Sequence, residues 1–171
     1  MSNHIDFYFD IISPYAYIAY KKILIINNVN FKLKPILLGG LHNLAGITAP
    51  AFNKYKMKNM QNDCELVAKK NNINFKWNSR FPINSLHIMR GYLCVKDDTK
   101  EEYLNSFFEA YWKEDQDLSK EENIKIPIEK TKNHWQVSNN IKIRTNVLNK
   151  LCICFNNNLS YYGIFLINQV L

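Results

Sequence analysis

The first position where this sequence can do chemistry is Ser13. It follows the alternation Ile5, Phe7, Phe9, Ile11 and immediately precedes Pro14. A helix starting there offers free backbone N–H groups and a positive end, which favour a phosphate, carboxylate or thiolate. A serine hydroxyl can donate a hydrogen bond to such an anion. The same placement also suits a plain N-cap, and spacing alone leaves both readings open. No Gly-x-Ser-x-Gly surrounds Ser13, so a nucleophile elbow is not expected. Arg80 has the planar fork to clamp a carboxylate bidentately, or else to form a surface ion pair. Asn84 is either a substrate-lining amide or a helix N-cap. Tyr15 and Tyr17 either face an aromatic ligand or pack in the core. Asp10, at a strand end, reads as a solvated turn residue rather than a functional acid. Cys64 and Cys94 fall in apolar helical patterns and read as packed, while Cys152-x-Cys154 lacks the second pair that a zinc site needs. His4, His42, His87 and His134 show no ligand spacing, so no metal is expected.

These residues need elements to hold them. Residues 4–11 alternate apolar and polar with period two, which predicts a strand. Pro14 fits the first helical position, and the pattern Tyr15, Ile18, Ala19, Ile23, Ile26 carries a helix to about Asn27. Asn30–Leu38 predicts a second strand ended by Pro35. A β-α-β unit implies a parallel pair and an α/β core. Gly39-Gly40 breaks the pattern. Helices are expected from about Pro50 to Asn71 with Phe52, Met60, Cys64, Val67 and Ala68 inward, from Asn84 through Val95, and over Thr99–Lys113. Ser119-x-x-Glu122 has the form of a capping box, which Ile126-Pro127 soon interrupts. Short strands at Leu151–Phe155 and Tyr161–Ile167 are the weakest expectation.

Composition bounds what such a frame can be. Of 171 residues, 47% are apolar and 22% charged, enough to build a core and too apolar for a disordered chain. No apolar run approaches the ~20 residues of a membrane span. The start, with Asp6 and Asp10, lacks the basic end and apolar stretch of a signal peptide. The expected location is cytoplasmic, with reduced thiols. The net charge of +7 is unevenly spread. Residues 1–80 carry an excess of seven positive charges and residues 81–125 an excess of four negative ones. No basic cluster is interleaved with aromatics, so lysines scattered over solvated faces explain the charge better than a nucleic-acid interface.

The stretch Asp6-Phe7-Tyr8-Phe9-Asp10-Ile11-Ile12-Ser13-Pro14-Tyr15-Ala16-Tyr17 resembles the opening of the 2-hydroxychromene-2-carboxylate isomerases. These belong with the kappa-class glutathione transferases among the DsbA-like thioredoxin folds. The resemblance continues through Pro35–Gly40, Lys56 with Asp63, Ser79–Leu86 and Ala110-Tyr111-Trp112, and ends near Ser119. It implies a thioredoxin-like α/β core with an inserted all-helical subdomain and atypical C-terminal strands. Residues 1–39 would form the first half of that core, 40–125 the helical insertion and 126–171 a divergent last part.

The resemblance also implies roles. Where related oxidoreductases carry Cys-x-x-Cys, this chain reads Ser13-Pro14-Tyr15-Ala16, so a thiol must come from outside, and in this family it is glutathione. Ser13 would hold its sulfur as a thiolate and Lys56 would face its carboxylate. Tyr15, Arg80 and Asn84 would face an aromatic keto acid. The implied activity is glutathione-dependent isomerisation, with a kappa-type glutathione transferase and a non-catalytic thioredoxin-fold binding module as alternatives. A small-molecule substrate and a homodimer are the partners implied; nucleic acid and membrane are not.

Two features depart from the family pattern. Ile47 stands in Gly46–Pro50 where the family has an Asn. No Pro follows Pro127 and no Asp follows Asp117, so the family's cis-proline turn and a later Asp are missing. Residues 126–171 are therefore expected to be a divergent tail or the product of a disrupted reading frame.

Overall fold

A computed structural model of the chain describes residues 4–130. The expectations beyond Lys130, including strands at 151–155 and 161–167, lie outside the described residues. The chain opens with β1 (His4–Phe9), α1 (Pro14–Ile23) and β2 (Asn30–Pro35). The strands are parallel, in a register running from His4 opposite Asn30 to Phe9 opposite Pro35. Ile36 N–H donates to the Phe9 carbonyl at 2.9 Å and extends the ladder by one bond. The period-two pattern thus gives the expected β-α-β unit. Phe7 and Phe9 share one face, with centroids 6.3 Å apart.

Helices follow: α2 (Leu38–Leu44), α3 (Lys54–Lys70), α4 (Leu86–Cys94), α5 (Lys100–Trp112) and α6 (Glu121–Lys130), with single 3₁₀ turns at Pro50–Phe52 and Asp97–Thr99. None of the described helices is long and apolar enough to cross a membrane.

Helix α5 is the centre of the core. Tyr103, Leu104, Phe107, Phe108, Ala110, Tyr111 and Trp112 are all buried, so it is covered on nearly every side. Phe108 lies 5.7 Å from the Tyr17 ring and 5.4 Å from the Tyr20 ring, both on α1, and 6.3 Å from Phe9 on β1. Each large side chain buried this way contributes about 1.5–3 kcal/mol. Lys21 fastens α1 to α5 from the rim, donating to Glu109 at 2.6 Å and to Asn105 at 2.7 Å.

The structure corrects several local expectations. Gly39 and Gly40 do not break the chain; they lie inside α2. Glycine in a helix costs up to about 1 kcal/mol, but a buried carboxylate at Asp10 accepts the Leu38 N–H and starts the helix there. Pro127 does not interrupt either. It sits buried inside α6, with Ile124 and Ile128 packed on the core. That burial opposes the ~3 kcal/mol that an interior proline costs. Ser119 caps nothing: its hydroxyl donates to Asp117, and α6 begins at Glu121.

The helix expected from Pro50 divides at Asn53, whose Oδ1 accepts the N–H groups of Tyr55 and Lys56 at 3.1 Å each and so caps α3. Phe52, expected inward, is exposed; Cys64 and Ala68 are buried as expected. Helix α1 stops at Ile23, four residues earlier than expected, leaving Ile25 and Ile26 exposed. Cys94 is exposed, not packed.

Candidate functional site

The turn Asp10–Ser13 joins β1 to α1 and is held from several sides. Ser13 N–H donates to the Asp10 carbonyl at 3.0 Å, closing the turn. Asp10 Oδ1 accepts from Ile12 N–H at 3.2 Å, and its Oδ2 accepts from Leu38 N–H at 2.7 Å. The Ile11 carbonyl accepts from the Trp112 indole N–H at 2.8 Å. The indole itself is packed among Phe75, Trp77, Phe81 and Tyr111, with centroids 4.8–5.7 Å away. The turn is therefore pinned through both a side chain and a main-chain carbonyl, which fixes where Ser13 points.

Ser13 is the N-cap of α1, with extended backbone (φ −86°, ψ 113°) and Pro14 at the first helical position. Its Oγ accepts from Ala16 N–H at 3.2 Å. That bond uses the oxygen as an acceptor, and no acceptor among the described residues takes the hydroxyl hydrogen. Pro14 has no N–H to offer, and the Tyr15 N–H, at the second position, has no intrahelical acceptor. A half-buried hydroxyl and a backbone N–H thus stand together at the positive end of α1.

Tyr15 and Tyr17 go different ways. Tyr17 is buried, and its hydroxyl donates to the Asn74 carbonyl at 2.6 Å, so it is core. Tyr15 is 44% exposed. Its pKa is pushed up to about 12, first by burial and then by the neighbouring Cys64 and Asp63 side chains. It is therefore a neutral phenol against α3. Burial, with Asp63 and Glu65 alongside, pushes the Cys64 thiol up to about 12, which leaves it a packed, unreactive group. Lys56 is exposed on the same face of α3 as Asp63, two turns earlier, or ~10 Å along the axis. Among the described residues no carboxylate pairs with its ammonium.

Asn84 and Arg80 each have a local partner. Asn84 is exposed, and its Oδ1 accepts from Leu86 N–H at 3.0 Å at the start of α4. The next residue, Ser85, is buried beside the Asp10 carboxyl, so Asn84 stands one residue from the turn. The Arg80 guanidinium lies 3.8 Å from Asp117, with the Arg80 side chain 66% exposed. A groove of about 440 Å³ lies at the far end of α1, lined by Tyr20, Leu24, Asp98, Glu101, Glu102 and Asn105. Its acidic rim has the wrong sign for an anion.

Sequence reasoning placed Asp10 in solvent, yet it is 1% exposed. Burial raises its pKa. The Leu38 N–H, then the Ser85 hydroxyl and the N–H groups of Ile12 and Ile11, pull it back only in part. Ser85 favours the carboxylate by proximity, without reaching strict hydrogen-bond geometry. The signal available in the sequence was an Asp flanked by Phe9 and Ile11, both of which are buried.

Comparison with known proteins agrees with this architecture. No curated protein matches the chain. Among solved structures, one of 2-hydroxychromene-2-carboxylate isomerase (HCCA isomerase) superposes with a TM-score of 0.69 at 21% identity, covering 87% of this chain and 71% of that one. That likeness is one of fold. A family model for the DSBA-like thioredoxin domain matches residues 4–132. On that match, which takes in every described element, the chain belongs to the DsbA-like thioredoxin domain family.

Proposed function

We propose that this chain is a glutathione-dependent isomerase of 2-hydroxychromene-2-carboxylate-type intermediates from aromatic degradation, with Ser13 holding the thiol as its thiolate. The observation that carries this reading is the pair of donors at the start of α1. The Ser13 hydroxyl has a hydrogen to give, and Tyr15 N–H has no helical acceptor. Both suit a sulfur anion, and the exposed Lys56 ammonium suits a carboxylate. Bound there, glutathione would supply a nucleophile that is also a good leaving group, able to add to an activated double bond and depart after rotation. Ser13 stabilises negative charge at one point, and the pinned turn keeps that point fixed. Tyr15 presents a neutral aromatic face beside it.

Calorimetric titration of reduced glutathione into the protein tests the proposal. Binding at a millimolar constant or tighter, weakened by Ser13→Ala, is the expected result; no heat of binding would refute it. The second reading is a non-catalytic thioredoxin-fold binding module. It is favoured by Arg80 facing Asp117 and by the Asn84 amide oxygen bonding into the start of α4, local partners that account for both residues without a substrate. A kappa-type transferase differs in its products: it would turn over a chloro-aromatic electrophile without isomerising a chromene.

A further inference from the structure

We infer that Asp10 is a positioning residue for Ser13: one buried carboxyl sets the geometry of the site turn by tying it to the start of α2. This rests on the proposed role of Ser13 and extends it to a group that never touches a ligand. A carboxyl side chain 1% exposed between Phe9 and Ile11 is costly unless its oxygens are satisfied. Here one oxygen accepts the Ile12 N–H at 3.2 Å and the other the Leu38 N–H at 2.7 Å. Ser85, at the start of α4, flanks the same carboxyl.

The Asp10 main-chain carbonyl also receives the Ser13 N–H at 3.0 Å. Two consecutive donors of the turn, Ile12 and Ser13, therefore end on one residue, and that residue is anchored 28 positions away at Leu38. No cation among the described residues pairs with it. An apolar side chain would fill the space and keep the main-chain bond to Ser13 but lose the side-chain bonds to Ile12 and Leu38, so what the Asp10 carboxyl adds is direction. It fixes how the backbone enters Ser13, and hence where the hydroxyl projects. Misplacement of a binding group by about 1 Å is enough to cost most of its effect.

The test uses the full-length protein and amide hydrogen exchange. Asp10→Asn keeps the shape but replaces one acceptor oxygen with a donor that faces an N–H. The amides of Ile12, Ala16 and Leu38 should then exchange at least about tenfold faster, while those of Leu104 and Phe108 in α5 change much less. Equal acceleration everywhere would mean a general loss of stability and would overturn the assignment, as would an unchanged Ala16.

If Asp10→Asn does not fold, the wild-type protein decides. Ile12, Ala16 and Leu38 should open together with one common free energy, and unrelated opening energies would overturn the proposal. Glutathione affinity is measured alongside. A tenfold loss in Asp10→Asn is expected. Absence of binding in the wild type would remove the functional reading and leave the exchange pattern to judge Asp10 by itself.

Discussion

Two substitutions at Ser13 separate its role as a helix cap from its role as a donor. Ser13 Oγ holds the Ala16 N–H at 3.2 Å, and α1 has no acidic residue in its first turn to share the work. Ser13→Ala should therefore cost the usual cap energy, ~1 kcal/mol. With a urea dependence of about 2 kcal/mol per molar, the unfolding midpoint falls by ~0.5 M. Ser13→Asp caps as well as serine, and its charge suits the helix end, so its midpoint should match or exceed the wild type. It has no hydrogen to donate at neutral pH and repels an anion. A hydrogen bond to a charged group contributes about 1.5–3 kcal/mol, so both variants should lose roughly 10- to 100-fold in glutathione affinity. Urea denaturation and calorimetry, run on the same preparations, read the two effects. Wild-type affinity in Ser13→Asp would refute the donor role, and a wild-type midpoint in Ser13→Ala would refute the cap.

Trp112→Phe should destabilise by about 1–3 kcal/mol for the stranded Ile11 carbonyl alone, with lost packing in addition; an unchanged urea midpoint would contradict this. Gly91→Ala should destabilise although alanine is the better helix former, because its methyl would meet the buried Tyr103 hydroxyl, itself a donor to the Ile88 carbonyl at 2.8 Å. Adding Tyr103→Phe should recover part of that loss in a double-mutant cycle. Burial alone would raise the pKa of Glu109, but hydrogen bonds and charge from Lys21 and Lys113 outweigh it and hold the carboxyl low. A lowered folded-state pKa means stability that is present above the ordinary glutamate range and lost as pH falls through the folded value. Glu109→Gln should therefore flatten the acid limb of a stability–pH curve, and an unaltered slope would show that the Lys21 bridge contributes nothing.

The parts legible in the sequence are those decided by near neighbours. Residues 4–11 alternate, Ser13-Pro14 starts a helix, and the parallel β1–β2 pair follows from the crossover. The lysine-bearing helix, the helix ending at Cys94 and the aromatic α5 are likewise local patterns. What was hidden depends on distant partners. Asp10 is buried because Leu38 and Ser85 come to meet it. Gly39-Gly40 is helical because Asp10 starts α2, and Pro127 stays in α6 because the core covers it. For Arg80 and Asn84 the sequence offered two uses each. The structure shows an ion pair to Asp117 and a bond into the α4 turn, neither of which spacing could rank.

The bond from the Trp112 indole to the Ile11 carbonyl joins residues 101 positions apart. Order in synthesis follows from it. The strand, turn and cap that carry Ser13 are made well before their clamp, which arrives only with the last residue of α5. An emerging polypeptide must wait for most of its described length before that carbonyl finds its donor, so maturation of the turn is a late event coupled to closure of the aromatic core.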